Sequence, residues 1–569
     1  MKRLDTSASH FVQRINHPGC PKSHPPTTEN HASYSREIPG LNIALFSRRE
    51  WIKAMSAAAV MAGYVTFAEP QRKGVRSYHL CLAPNIVTSD QQLVETVAAA
   101  GIDTIWLAGF FYGHRPFSDD LLKRAMAVVQ RHGMKAELIN VPLGHPGDSL
   151  GSKEGDFPLT PPAHWLPAVR PDGRQFVGTS LHEPATAENC EALRSLRAHG
   201  FRACFLDDDF RLARSPGEIG GCFCDQHRTR FLQTRGYPAS QWQQLLDDIA
   251  ERRNTSTLQA WVEFICDELS SSFHAQQQAF GADLGIMIMY LGAEKAGIRL
   301  NDYRRVPFRV GELMFNDESF GSPKGKTDEL FSVLFHRRFA DPKRAFSETT
   351  AFPADKLSAR NMAAKLIIST LADVRHTMFM SGVTPFPHAH WETLAPAMKT
   401  QARFHEIIAG HKPHGPFKHY WGQSERSVGT DQPFSLWLAL GVPFEVVETL
   451  PSEGWTFLTD FDARDLTSQS TTANARLVCR TSAANRPAQA LVVEESLPAL
   501  FAFKRSICAQ LGNAPYIAEN EPAVCAWYPT ANATMVWNLS DEPRDLTLVH
   551  ASKKHPLRLG PLAADVVKL

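Results

Sequence analysis

The stretch Phe201-Arg-Ala-Cys-Phe-Leu-Asp-Asp-Asp-Phe-Arg-Leu212 decides how this chain is read. A short apolar run drives straight into three consecutive carboxylates and an arginine. Apolar runs of this length read as buried strands, and a strand that ends in acids puts charge where the core stops. In an α/β barrel that place is the face that carries the chemistry. Acids that merely cap a following helix are the plain alternative. A second carboxylate favours the barrel: Glu348, in Arg344-Ala-Phe-Ser-Glu-Thr-Thr350, closes another strand-like run much later in the chain.

On either side of this stretch, strand-like and helical patterns alternate. Tyr78 to Leu82, Thr104 to Gly109 and Lys135 to Val141 precede the acidic run. Leu284 to Tyr290, Phe308 to Phe315, Ala345 to Thr349 and Val374 to Met380 follow it. Amphipathic helical stretches separate them, giving eight βα units and hence a parallel sheet closed into a TIM (β/α)8 barrel over residues 75–410. Counting strands puts Asp207, Asp208, Asp209 and Arg211 after strand 4 and Glu348 after strand 7. His79 on strand 1, Asn140 after strand 3, Tyr290 after strand 5, Asn316 after strand 6 and Trp391 after strand 8 are expected at the same mouth. Carboxylates, amides and aromatics together suit sugar rings, whose hydroxyls need hydrogen bonds and whose C–H faces pack on aromatic side chains.

With 569 residues, 43% hydrophobic and 21% charged, the chain is globular and long enough for about three domains. A net charge of +1 and the lack of a basic stripe with interleaved aromatics exclude nucleic acid and an anionic membrane as partners. Residues 412–512 read as a small α/β domain, and the short β runs of 515–569 as a C-terminal antiparallel β-sandwich. At the other end, residues 1–46 are rich in Pro, Ser and His and read as a disordered extension. Ser47-Arg-Arg-Glu-Trp-Ile-Lys53, the weakly apolar run from Ala54 to Gly63 and a cleavage site at Thr66-Phe-Ala68 make residues 47–68 resemble a twin-arginine signal peptide. The apolar run is too short to span a membrane. The protein is thus expected to engage the twin-arginine export machinery and to work in the periplasm or as a secreted protein. Ten cysteines in a chain of this length are not a disulfide framework, and Cys81, Cys204, Cys266 and Cys508 read as small core residues.

The acidic strand-4 end, the Cys-Phe-Cys loop after it, the strand-7 glutamate and the two smaller domains together resemble a three-domain glycoside hydrolase related to the family 42 β-galactosidases. The resemblance covers residues 75–569 in layout. It implies a glycosidase that retains configuration and needs no cofactor for catalysis, with Asp209 as general acid/base, Asp208 at the sugar 2-hydroxyl and Glu348 as nucleophile. The chain departs from the family pattern Asp-Asn-Glu at the end of strand 4: it has Asp207-Asp-Asp209, with a shorter acid and a carboxylate in place of the amide. A wider gap between carboxyl groups would allow inversion, and loss of the glutamate is compatible with a sugar-binding barrel that no longer catalyses. In Gly220-Gly-Cys-Phe-Cys-Asp-Gln-His227, the family loop carries cysteines of a structural metal site. Here Cys222, Cys224 and His227 could supply three ligands to a structural zinc, with Cys190 as a candidate fourth. A reduced loop or a disulfide is the alternative, and a metal-dependent hydrolase the more distant one. The substrate partner expected is a carbohydrate, and a homo-oligomer is compatible with the sequence.

Overall fold

The structure is a computed structural model that describes residues 74–143, 161–175, 181–207, 212–213, 217–311, 313–467, 476–481, 483 and 485–569. Residues 1–68, read as an extension and a twin-arginine signal peptide, together with Asp208, Asp209 and Arg211, lie outside the described residues.

Eight parallel strands close into a barrel in chain order: β1 (Ser77–Leu82), β2 (Thr104–Phe111), β3 (Lys135–Val141), β4 (Cys204–Leu206), β5 (Leu284–Met289), β6 (Phe308–Gly311), β7 (Ala345–Thr350) and β8 (His376–Met380). Closure is made by β1 against β8, with Ser77 opposite His376 and Leu80 opposite Phe379. Among the described residues of the acidic stretch, three are strand. Asp207 is the next residue, and its N–H donates to the Asn140 carbonyl at 2.7 Å.

The period of two sorts each strand's side chains between two apolar layers. Cys81, Trp106, Ile139, Phe205, Phe346 and Met378 form one cluster, which fills the barrel. Their neighbours Leu80, Ile105, Leu138 and Leu206 belong to the larger cluster beneath the helices. Phe308 and Val310 also lie in that outer layer, so Arg309 between them points inward; Asp207 has the parity of Phe205, and Glu348 that of Phe346.

Local capping explains where several shell helices begin. Ser118 caps Asp119–Arg131 by accepting from the Leu121 N–H, with Asp119 and Asp120 in the first turn favouring the positive end of the helix dipole. Thr255 caps the long helix Ser256–Phe280 in the same way. The segment between β4 and β5 carries three helices, Asp225–Arg235, Gln241–Glu251 and Ser256–Phe280, where a simple βα unit has one.

After the last barrel helix, His390–Ile408, come β9 (Phe417–Tyr420), β10 (Phe444–Val447), β11 (Trp455–Leu458), β12 (Arg476–Cys479) and β13 (Leu491–Val492). They form a parallel sheet ordered β10-β9-β11-β12-β13, the 2-1-3-4-5 order of a doubly wound domain. The tail comprises β14 (Tyr516–Ile517), β15 (Ala523–Tyr528), β16 (Ala533–Asn538), β17 (Arg544–His550), β18 (Lys553–Leu559) and β19 (Ala564–Lys568). These make two three-stranded antiparallel sheets with Ile517, Cys525, Val536 and Leu548 in a shared core. The fold class expected from the alternation of patterns is the one observed.

Candidate active site

Arg309 organises the inner barrel. Its side chain is fully buried, and one terminal nitrogen donates to Asp207 Oδ1. Its Nε lies 3.1 Å from Glu348 Oε2, and its guanidinium carbon sits 5.2 Å from the centre of the Phe205 ring. Thr350, two residues beyond Glu348 on the same face of β7, donates its hydroxyl to Glu348 Oε1. A carboxylate from β4 and another from β7 are therefore drawn onto one cation from β6. Strand register explains the reach: Arg309 pairs with Met287 on one side and Phe346 on the other, one inward position below Glu348.

A guanidinium stays protonated throughout the range in which proteins are stable. Both carboxyl groups thus face a fixed positive charge while buried, Asp207 5% and Glu348 3% exposed. Beneath them, burial pushes the Cys81 thiol well up, so it stays a neutral packing group despite its closeness to Arg309. Sequence reading missed Arg309, although the signal was present: a lone charge in Phe308-Arg-Val310, flanked by outward apolar residues, must be buried and paired.

The remaining residues expected at the mouth lie elsewhere. His79 is inside the barrel but towards its amino end, where it accepts from Trp106 Nε1 at 3.1 Å and meets the Ser77 hydroxyl at 2.9 Å. Ser77 is 2.6 Å from His376 Nδ1, and His376 Nε2 is 2.9 Å from the Lys343 carbonyl. Asn140 points outward to receive the Phe110 N–H at 2.9 Å, bracing the irregular pairing between β2 and β3. A β-carbon on Gly109 would lie 2.4 Å from the Asn140 amide oxygen, so the glycine makes room for that brace. Asn316 caps the short helix Asp317–Gly321 through the Ser319 N–H. Trp391 is packed under its helix, edge-on to Phe379 at 5.5 Å. Tyr290 belongs to the outer layer, and burial, with Asp328 and Glu329 nearby, pushes its phenol well up. Of the expected mouth residues, the described structure brings Asp207 and Glu348 together and directs these others to packing, capping or the barrel floor.

A second constellation lies on the loop after β4. Cys222, Cys224 and His227 gather with His182, and the four ligand atoms all fall within 4.8 Å of one another. The Cys222 sulfur is 3.5 Å from His182 Nε2, and that of Cys224 is 3.7 Å from His182 Nε2 and 3.2 Å from His227 Nδ1. A tetrahedral zinc with bonds of about 2.3 Å to sulfur and about 2.0 Å to nitrogen places such donors roughly 3.5 Å apart, so the set fits. His182 Nδ1 is 3.0 Å from Gln226 Oε1, which leaves Nε2 to face the sulfurs, and Glu268 lies 3.9 Å from His227 Nε2. Partners of this kind orient histidines that bind metals. The fourth side chain of the cluster is His182 and not Cys190, which is buried on the helix Ala185–Ala198. Nothing in the local sequence around Leu181-His-Glu-Pro184 signals this role, because the contact spans 40 residues.

No protein-family model matches the chain, and no curated protein matches it in sequence. In three dimensions it is similar to Gan42B, a GH42 β-galactosidase from G. stearothermophilus, solved both as such and as a catalytic mutant. Each aligns with a TM-score of 0.52 at 10% identity over 87% of this chain and 98% of that one. An α-L-fucosidase, isoenzyme 2 from Paenibacillus thiaminolyticus, aligns at a TM-score of 0.48 and 9% identity over 86% and 92%. The likeness to Gan42B is one of fold.

Proposed function

We propose that this chain is an exported glycoside hydrolase that cleaves an oligo- or polysaccharide with a carboxylate pair, Glu348 and Asp209. The observation that carries the reading is the shared cation: Arg309 holds Glu348 on β7 and Asp207, next after β4, within one buried barrel interior. Glycosidic cleavage needs one carboxylate that stays ionised at the anomeric carbon and a second carboxyl group that delivers a proton to the leaving oxygen. Glu348 suits the first role because Arg309 and the Thr350 hydroxyl stabilise its charge and fix its orientation.

Asp207 is poorly suited to the second. A carboxylate held by a buried guanidinium has little tendency to take up and release a proton. Asp207 therefore serves as a positioning residue for Arg309, and proton delivery is assigned to Asp209, with Asp208 contacting a sugar hydroxyl. The similarity in fold to a GH42 β-galactosidase supports a carbohydrate substrate, and retention of configuration rests on the resemblance read in the sequence. Direct identification of the anomer first released from a cleaved glycoside, by proton NMR, tests the stereochemistry.

For the Cys/His cluster we propose a structural zinc held by His182, Cys222, Cys224 and His227. Four protein donors fill a tetrahedral shell, whereas catalytic zinc keeps a position open for water. Bound there, zinc would tie the segment before the helix Ala185–Ala198 to the loop after β4. Export by the twin-arginine route, carried by Ser47 to Lys53, completes the proposal. The deciding experiment is a screen of the mature protein against chromogenic glycosides and natural oligosaccharides, with Glu348→Gln as control. Turnover that survives this substitution would overturn the assignment.

A further inference from the structure

Phe352 is 57% exposed, the only phenylalanine, tyrosine or tryptophan among the described residues with more than a third of its surface in water. A large ring left in water is informative when its place in the fold is special. Phe352 stands two residues past the carboxyl end of β7 and four past Glu348, at the same end of the barrel as that carboxylate. The backbone beneath it is braced from both sides. The Ala351 N–H donates to the Met380 carbonyl at the end of β8 (3.1 Å), and the Phe352 N–H to the Phe315 carbonyl after β6 (3.1 Å). Pro353 follows directly, and its carbonyl accepts from the Lys356 N–H at 2.9 Å, closing a tight turn. The ring is thus carried on a fixed support tied to the ends of three neighbouring barrel strands.

We infer that Phe352 is a stacking platform for a sugar ring beyond the one that reacts, so that the protein prefers oligosaccharides over single-sugar glycosides. This rests on the glycosidase reading and extends it to the length of the substrate. Phe352 lies past the end of β7, whereas Glu348 lies within the strand, so the ring is offset along the barrel axis from the reacting sugar and suited to one further along an oligosaccharide. An aromatic face offers the C–H face of a pyranose apolar contact, and a platform already held rigid adds affinity at little cost in ordering.

The test compares wild type, Phe352→Ala and Phe352→Trp on an aryl glycoside of a single sugar and on oligosaccharides of the same sugar from two to six units. Phe352→Ala should lower kcat/KM on the longer oligosaccharides by on the order of tenfold, mainly through KM, and leave the aryl glycoside within about twofold. Phe352→Trp should restore the longer substrates. Equal losses on short and long substrates, or no loss on the long ones, would overturn the platform. If wild type cleaves none of these compounds, the glycosidase reading falls, and calorimetric binding of the same oligosaccharides decides the platform: weakening on the order of tenfold in Phe352→Ala supports it, and unchanged or undetectable binding overturns it.

Discussion

Arg309 Nε lies 3.1 Å from Glu348 Oε2, so the carboxylate assigned to the anomeric carbon rests against a charge delivered by the preceding strand of the barrel. The same guanidinium holds Asp207 from β4. The three groups depend on one another, since each buried charge is tolerable only while its partners remain.

Replacing Arg309 with Met should therefore harm both folding and catalysis. Two carboxyl groups would be left buried without their cation, and removing one member of such an arrangement costs about 3–5 kcal/mol. Urea denaturation followed by tryptophan fluorescence should show the barrel's midpoint falling accordingly. An unchanged midpoint would remove Arg309 from its central place.

Glu348 and Asp209 should separate by leaving group. Glu348→Gln should abolish turnover of activated aryl glycosides and natural substrates alike. Asp209→Asn should be severe on poor leaving groups and mild on activated ones, which depart with little protonation. In a retaining mechanism azide should accelerate the Asp209→Asn variant by replacing the water that needs a general base. If both variants keep wild-type rates on an identified substrate, the sugar-binding reading of the barrel takes precedence.

Metal analysis of the purified protein should find one zinc per chain. His182→Ala and Cys222→Ser should lose it and melt at lower temperature, whereas Cys190→Ser should keep it, because Cys190 is not among the four converging donors. Chelation should lower stability first, with activity following as the protein loosens. Immediate loss of turnover at unchanged stability would point to a catalytic metal.

Acid should destabilise the fold before its carboxylates are fully protonated. Burial lowers His336 and His376 to about 4 and His419 to about 3, while an unfolded chain holds them near 6.5. Between these values the unfolded chain binds more protons, so stability is complete above about pH 6.5 and is lost as pH falls towards about 4. The slope is at most about 1.4 kcal/mol per pH unit for each such histidine. Urea midpoints at pH 7.5 and 5 should differ in that direction, and His376→Gln should flatten the difference.

Replacing Arg48 and Arg49 with Lys should retain the precursor in the cytoplasm. Fractionation of cells expressing the full chain reads this directly. Unchanged export would remove the twin-arginine route from the proposal.

The amino-acid sequence by itself determined the order of strands and helices, because alternation of apolar runs and amphipathic stretches is a local property of the chain. The same local pattern placed Asp207 directly after β4, as observed, whereas Glu348, expected after strand 7, lies within β7, two residues before its end. Tertiary structure alone decided which side chains face the barrel's interior. A parallel strand is buried on both faces and reads as a continuous apolar run, so its sequence does not say which parity points inward. Asn140 and Tyr290 accordingly belong to the outer layer. Tertiary structure also decided the partners. Arg309 meets a carboxylate 102 residues away and His182 a thiol 40 residues away. Such encounters arise only when barrel closure and loop packing bring distant segments together, and no window of sequence contains both ends.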